Sequence, residues 1–281
     1  MHLSMSYKIV VIGAGNVAHH LVPALLVAGY DVCQIYSRTE ASAISLSRKS
    51  GLPYTTKIDD IFRDADMYII TISDDYIASM AKSLKCNNDP IVIHTAGSVP
   101  MSVLYSASKR YGVIYPLQTF TKSRELDFSE IPLFVEASSA EVMKSIKHVA
   151  ESISNVVTEL PSDKRKAMHL AAVWACNFAN HMYAVGGKIL AENGLDFSLL
   201  RPIIAETADK AMEMLPVDAQ TGPAKRKDKG VLAMHRDLMK GKHTRMSLYN
   251  AISDSIAEYA HIKNTDSEQD DEDNYVELTL W

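Results

Sequence analysis

Apolar positions change their rhythm twice along this chain. Residues 7–12 (YKIVVI) form a short, unbroken apolar run, the pattern of a strand buried on both faces. Residues 17–28 follow with helical spacing and close at Gly29. Residues 31–36 (DVCQIY) read as a second strand, and residues 39–50 as a helix ending at Gly51. Residues 67–72 (MYIITI) and 91–94 are further buried strands, with a helix over 77–84 between them. Shorter strands are predicted at 113–115 and 133–136. Strands alternating with helices imply a mostly parallel sheet covered on both faces.

The rhythm changes near Leu160, and no strand pattern follows Ser162. Ser162 or Asp163 can cap a helix that runs to the stop signal Asn193-Gly194. Further helices are expected over 198–214, 223–240 and 244–261. In the helix over 223–240, Val231, Met234 and Leu238 recur at helical spacing and predict a packing face. The expected fold is therefore α/β: a Rossmann-type, mostly parallel sheet domain over residues 1–160, then an all-α domain over 161–264. An acidic tail over 265–281 ends the chain.

Composition narrows the class. The 281 residues are 47% hydrophobic and 22% charged, as in ordinary globular proteins. No apolar run reaches the roughly 18 residues of a membrane helix, and no secretory signal is read at the N-terminus, so neither a membrane nor export is expected. The net charge is −5, but seven of the 34 acidic residues follow Lys263, where no Lys or Arg remains. A near-neutral body is not the basic footprint of a nucleic-acid binder. The three cysteines lie far apart and form no CxxC or zinc spacing, so no metal is expected. The sparse, odd count suggests free thiols in a reducing, cytoplasmic setting.

The chemistry starts at Gly13-Ala14-Gly15-Asn16-Val17-Ala18, a GxGxxA sequence between a buried strand and a helix. Gly13 permits the tight turn, Gly15 lets backbone N–H groups approach a pyrophosphate, and Ala18 lets the helix pack on the sheet. The helix N-terminus adds partial positive charge. At the second strand end stands Ser37-Arg38-Thr39, where an NAD site usually has Asp or Glu. Arg38 and Ser37 suit a 2′-phosphate, so the expected cofactor is NADP. Ser73 and the Thr95-Ala96-Gly97-Ser98 turn end two more strands and suit the floor of the same crevice, with Thr95 and Gly97 beneath the nicotinamide ribose.

In the first helix after Leu160, 100° per residue puts His169, Val173, Cys176 and Asn180 within roughly 60° of one another, with Asn177 beside them. This polar-edged stripe on a mostly buried helix offers His169 for proton transfer and Asn177 and Asn180 for holding a substrate. Within Thr221 to Asp228 (TGPAKRKD), Arg226 falls in a first helical turn and can hold an anion.

Together GAGNVA, IYSR, HTAGS, YPLQTF, HLAAVWACNFANH and TGPAKRKD resemble the Rossmann-like proteins joined to a helical domain of unknown function numbered 2520. They belong to the 6-phosphogluconate-dehydrogenase-like group, with pyrroline-5-carboxylate and ketopantoate reductases as relatives. The likeness spans about residues 5 to 262. It implies an NADP-linked oxidoreductase whose helical domain closes the crevice and often builds a homodimer, and it brings no substrate with it; the leading expectation is reduction of a small carbonyl or imine compound. Two positions depart from the family pattern: histidine is expected where Tyr115 stands, and glycine where Lys227 stands. The lysine with an asparagine one turn on of related hydroxyacid dehydrogenases is absent, since Leu170 lies four residues after Lys166. His169 with Asn177 is the replacement, an ordered water being the other proton source. The rival function is an NADP-binding sensor without turnover.

Overall fold

The structure, a computed structural model, describes residues 7–269. Eight strands form one sheet: β1 (Lys8–Ile12), β2 (Asp31–Tyr36), β3 (Tyr54–Thr55), β4 (Met67–Ile70), β5 (Ile91–His94), β6 (Arg110–Pro116), β7 (Leu133–Ala137) and β8 (Val157–Glu159). Their spatial order is β3-β2-β1-β4-β5-β6-β7-β8. Every pairing is parallel except β6 with β7. The first six strands have the doubly wound dinucleotide-binding order, which reverses direction between β1 and β4.

Alternation along the strands explains the two-sided core. Ile9 and Val11 pack on one face with Leu21, Val22 and Leu25 of α1 (Asn16–Val27). Val10 and Ile12 pack on the other with Ile77 and Ala81 of α3 (Asp74–Ser83). A one-residue slip would exchange the two sets, so burial on both faces fixes the register. Helix α2 (Glu40–Ser50) stops at Gly51, whose φ of 73° is the left-handed conformation glycine adopts freely.

Three elements of this region were not read from the sequence: β3, β8 and helix α4 (Ala140–Glu151). The Ser139 hydroxyl caps α4 by accepting from the Val142 N–H, and Val142, Ile146, Val149 and Ala150 form its buried stripe.

The chain divides into two compact units between Ala179 and Asn180. The sequence reading divides it at residue 160, where strand pattern ends. Contacts divide it later because α5 (Ser162–Ala172) is bonded to the sheet unit through Ser162, Arg165 and His169. Ser162 does not cap α5. Pro161 takes that position, and the Ser162 hydroxyl donates to Glu136 instead.

The described residues of the second unit hold helices and no strand: α6 (Ala179–Glu192), α7 (Arg201–Glu213), α8 (Pro216–Ala219), α9 (Pro223–Arg226), α10 (Lys229–Leu238) and α11 (His243–Gln269). The single helix expected over 223–240 is two. Lys227 adopts a left-handed φ of 58° and breaks it. Arg245 grips Glu192 with two 3.0 Å hydrogen bonds, tying α11 to α6. The packing face expected of Val231, Met234 and Leu238 is open: they are 37%, 51% and 77% exposed. Helix α11 runs past residue 265, and the tail beyond Gln269 lies outside the described residues.

Candidate active site

The turn after β1 is built around Gly13. Its φ is 122°, its N–H donates to the Tyr36 carbonyl, and a Cβ there would sit 2.5 Å from Thr71 Oγ1. Gly15 differs. It is the N-cap of α1, no side chain caps that helix, and an added Cβ would meet nothing closer than 3.8 Å. The first N–H groups of α1 thus face open space, as an approaching phosphate requires. Ala18 is fully buried, so α1 lies close on the sheet.

Behind this turn, His19 joins α1 to α2. Its Nδ1–H donates to the Gly15 carbonyl at 2.9 Å, and its Nε2 accepts from the Ser45 hydroxyl at 3.2 Å. Burial lowers the His19 pKa, and the charges of Lys122 and Lys49 push in the same direction.

These elements wall a cavity of about 610 Å³. Gly13, Ala14, Gly15, Asn16 and Val17 line one side; Ser37, Arg38, Thr39 and Ser42 line another; Ser73 and Tyr76 lie opposite. Among the described residues no Asp or Glu lines it, and the cations that do are Arg38 and Lys122. The Arg38 guanidinium stacks on the Tyr76 ring, 5.1 Å from its centroid. Ser37 is buried, and its hydroxyl donates to the Thr39 carbonyl at 3.2 Å. The donor set fits NADP. Glycine backbone can receive the pyrophosphate, and Arg38 with the hydroxyls of Thr39 and Ser42 can receive a 2′-phosphate that a carboxylate would repel.

Lys122 escaped the sequence reading because it lies far along the chain. It is brought in by the segment after β6, where His20 Nε2–H donates to the Thr121 carbonyl at 3.1 Å and the Phe120 ring packs on His20.

A second cluster occupies the carboxyl ends of β5 and β6. Thr95 is buried, and its hydroxyl donates to the Ile70 carbonyl at 3.4 Å. Gly97 lies under two rings: an added Cβ would be 2.8 Å from both His169 and Tyr115. Tyr115 Oη and His169 Nδ1 are 3.0 Å apart, with the rings nearly perpendicular. Ser98 Oγ donates to Asp74.

One turn before His169, on the same face of α5, lies Arg165. It is fully buried, ion-paired with Glu136 and bonded to the Val99 carbonyl. Neither Arg165 nor Glu136 was singled out from sequence. A charged pair in a short polar stretch carries no periodic signal, although together they hold α5 over the 95–99 turn.

Asn177 is not on a buried stripe. Residues Val173–Phe178 form π-helical turns, so the 3.6-residue arithmetic linking His169 to Asn177 and Asn180 fails across them. Asn177 and Asn180 are exposed. Asn180 and Arg226 belong to the second unit, where Arg226 is paired with Asp228 at 2.7 Å. Among the described residues no group of three or more His, Cys, Asp or Glu side chains could hold a metal ion.

The strand order, with a glycine elbow at its switch point, defines a Rossmann-type dinucleotide-binding domain. Residues 8–97 match the family model described as NADP oxidoreductase, coenzyme F420-dependent, and residues 131–256 match a domain of unknown function, DUF2520. A Bacteroides fragilis protein named as an NADP oxidoreductase is 42% identical, with a TM-score of 0.86 over 90% of this chain and 98% of that one. The chain belongs to this family of NADP oxidoreductases with a C-terminal DUF2520 domain. A protein from Thermotoga maritima shares the fold at 24% identity, with a TM-score of 0.68 over 91% of this chain and 99% of that one. So does an imine reductase from Myxococcus stipitatus in complex with NADP+, at 15% identity and a TM-score of 0.59, over 91% of this chain and 94% of that one. No match was found among curated proteins.

Proposed function

We propose that the protein reduces a small carbonyl or imine compound with NADPH, and that His169 delivers the proton. The observation that carries this reading is the cavity at the glycine elbow, which Arg38 and Lys122 line and, among the described residues, no Asp or Glu does. Bound NADPH supplies the hydride. Gly13 to Val17 hold its pyrophosphate, while Arg38, with the hydroxyls of Thr39 and Ser42, meets its 2′-phosphate, and Lys122 adds positive charge to the same cavity. His169 offers a ring N–H to the substrate heteroatom, and Asn177, exposed on the π-helical turns, orients it.

The test is NADPH oxidation against a panel of keto acids and cyclic imines, run beside nucleotide titrations. Arg38→Ala is expected to weaken NADPH roughly ten- to hundredfold, the loss of one charge-assisted hydrogen bond, and NADH far less. His169→Ala is expected to lower turnover about a hundredfold or more with NADPH affinity kept. Equal losses for both nucleotides would remove Arg38 as the 2′-phosphate reader. Tight NADPH binding with no turnover on the whole panel would favour the sensor.

The exposed apolar side chains of the second unit support a homodimer through that unit. Leu199 and Ile203 are each 62% exposed, and Leu238 is 77% exposed. A solution mass twice that of the chain is expected by light scattering, and a monomer at micromolar concentration would remove the dimer. The cysteines are free thiols, which supports a cytoplasmic setting. No helix of the described residues is long and apolar enough to cross a membrane.

A further inference from the structure

We propose that Tyr115 is the positioning residue of the His169 imidazole: its hydroxyl donates to Nδ1, which leaves the single ring proton on Nε2 as the donor to substrate. This rests on the reading of His169 as the proton-delivering group.

Three observations converge on it. Tyr115 Oη and His169 Nδ1 lie 3.0 Å apart. The Tyr115 hydroxyl is in a buried residue and has no other hydrogen-bond partner among the described residues, so donating to Nδ1 is what satisfies its hydrogen. Were Nδ1 the donor instead, the phenolic hydrogen would be left without an acceptor. Gly97 completes the arrangement, because any side chain there would wedge between the rings. Which nitrogen of a histidine carries the proton is set by the hydrogen bond the other nitrogen makes.

The surroundings keep the hydroxyl protonated. Burial raises the Tyr115 pKa, and the charge of Asp74 on α3 raises it further; Arg165 on α5 opposes both, itself paired with Glu136 of β7.

The arrangement also removes a chemical difficulty. A neutral imidazole that gave up its Nε2 proton alone would become an imidazolate. With Tyr115 in place, the Nε2–H bond breaks as an O–H or N–H bond forms on the substrate. The Tyr115 O–H bond breaks as an Nδ1–H bond forms. The substrate carbon takes its hydrogen and two electrons from the reduced nicotinamide; the tyrosinate, made strongly basic by the same burial, is short-lived and regains a proton from water, which leaves as hydroxide.

The test reads the tautomer directly, by long-range proton–nitrogen NMR of the full-length, nitrogen-15-labelled protein near neutral pH, with His169→Gln assigning the resonances. Wild type is expected to show His169 protonated on Nε2 with a bare Nδ1. Tyr115→Phe, and independently Gly97→Ala, are expected to abolish that single tautomer. Tyr115→Phe is also expected to lower kcat on a turned-over panel compound about tenfold or more, with the KM for NADPH unchanged. A wild-type Nδ1–H tautomer, or a spectrum unchanged in Tyr115→Phe, would overturn the proposal. If the tautomer behaves as stated but His169→Ala keeps full turnover, the proton-donor reading fails while the positioning of the ring by Tyr115 stands.

Discussion

Gly13→Ala is expected to abolish NADPH binding and to destabilise the fold by about 3 kcal/mol or more, whereas Gly15→Ala is expected to spare the fold and lose the cofactor. The two glycines stand two residues apart but are constrained differently. At Gly13 the backbone has a φ of 122°, which side-chain-bearing residues rarely adopt. A methyl group there would also lie 2.5 Å from Thr71 Oγ1 and 2.7 Å from the Thr71 carbonyl oxygen. The hydroxyl could turn away, but the carbonyl belongs to the chain leaving β4 and cannot. Relief requires moving the turn, and the turn is what aims the first N–H groups of α1.

At Gly15 the φ is −83°, an ordinary value for alanine, and the nearest atom to an added methyl is 3.8 Å away. Its cost to the fold should stay within about 1 kcal/mol, that of a poorer N-cap. The methyl would instead occupy space where a pyrophosphate must approach the backbone. Losing a charge-assisted hydrogen bond there corresponds to roughly a ten- to hundredfold weaker affinity. Thermal melts and NADPH titrations of both variants separate the two roles. An unchanged NADPH affinity in Gly15→Ala would mean that the cofactor does not lie on this turn.

The contrast between these glycines marks where the sequence was legible. GxGxxA between a buried strand and a helix announces both local geometry and ligand chemistry, because strand, turn and helix are contiguous. The same holds for Ser37-Arg38, which closes β2 and reaches the cavity directly. Helix α4 was also legible in principle, since Ser139 and the spacing of Val142, Ile146 and Val149 are ordinary start and stripe signals. The pairing of Tyr115 with His169 is different in kind. It joins residues 54 positions apart through the register of β6 and the placement of α5. That placement depends on Arg165 and Glu136, a buried ion pair whose members look like surface charges in the sequence. The helical stripe failed for a local reason: π-helical turns follow no apolar rhythm, and they separate His169 from Asn180.

His94, beneath the same turn, is expected to make the protein lose stability as pH falls from about 6.5 to about 4, by about 3 kcal/mol over the whole interval. The side chain is fully buried at the end of β5. Its Nδ1 accepts the Ala96 N–H at 3.1 Å, which pins the 95–98 turn and places the proton of the neutral ring on Nε2. Burial, the charge of Arg165 after it, lowers the pKa to about 4, with only partial compensation from the Pro100 carbonyl. Among the described residues Nε2 makes no hydrogen bond of full geometry, so the Pro100 carbonyl offsets only a small part of the burial cost. The unfolded chain binds a proton at His94 near pH 6.5, while the folded protein resists it until about pH 4. Between those values the unfolded state holds more protons, so stability falls with pH; below the lower value the loss levels off. The His19 pKa is also lowered and acts in the same direction, so the total slope belongs to more than one residue. Urea unfolding of wild type and His94→Gln across this range isolates the His94 share, because glutamine does not titrate there. The variant is expected to lose the larger part of the slope even if it starts less stable. Parallel curves for the two proteins would show that His94 already carries a proton in the fold, and that the 95–98 turn under Tyr115 and His169 is held by something else.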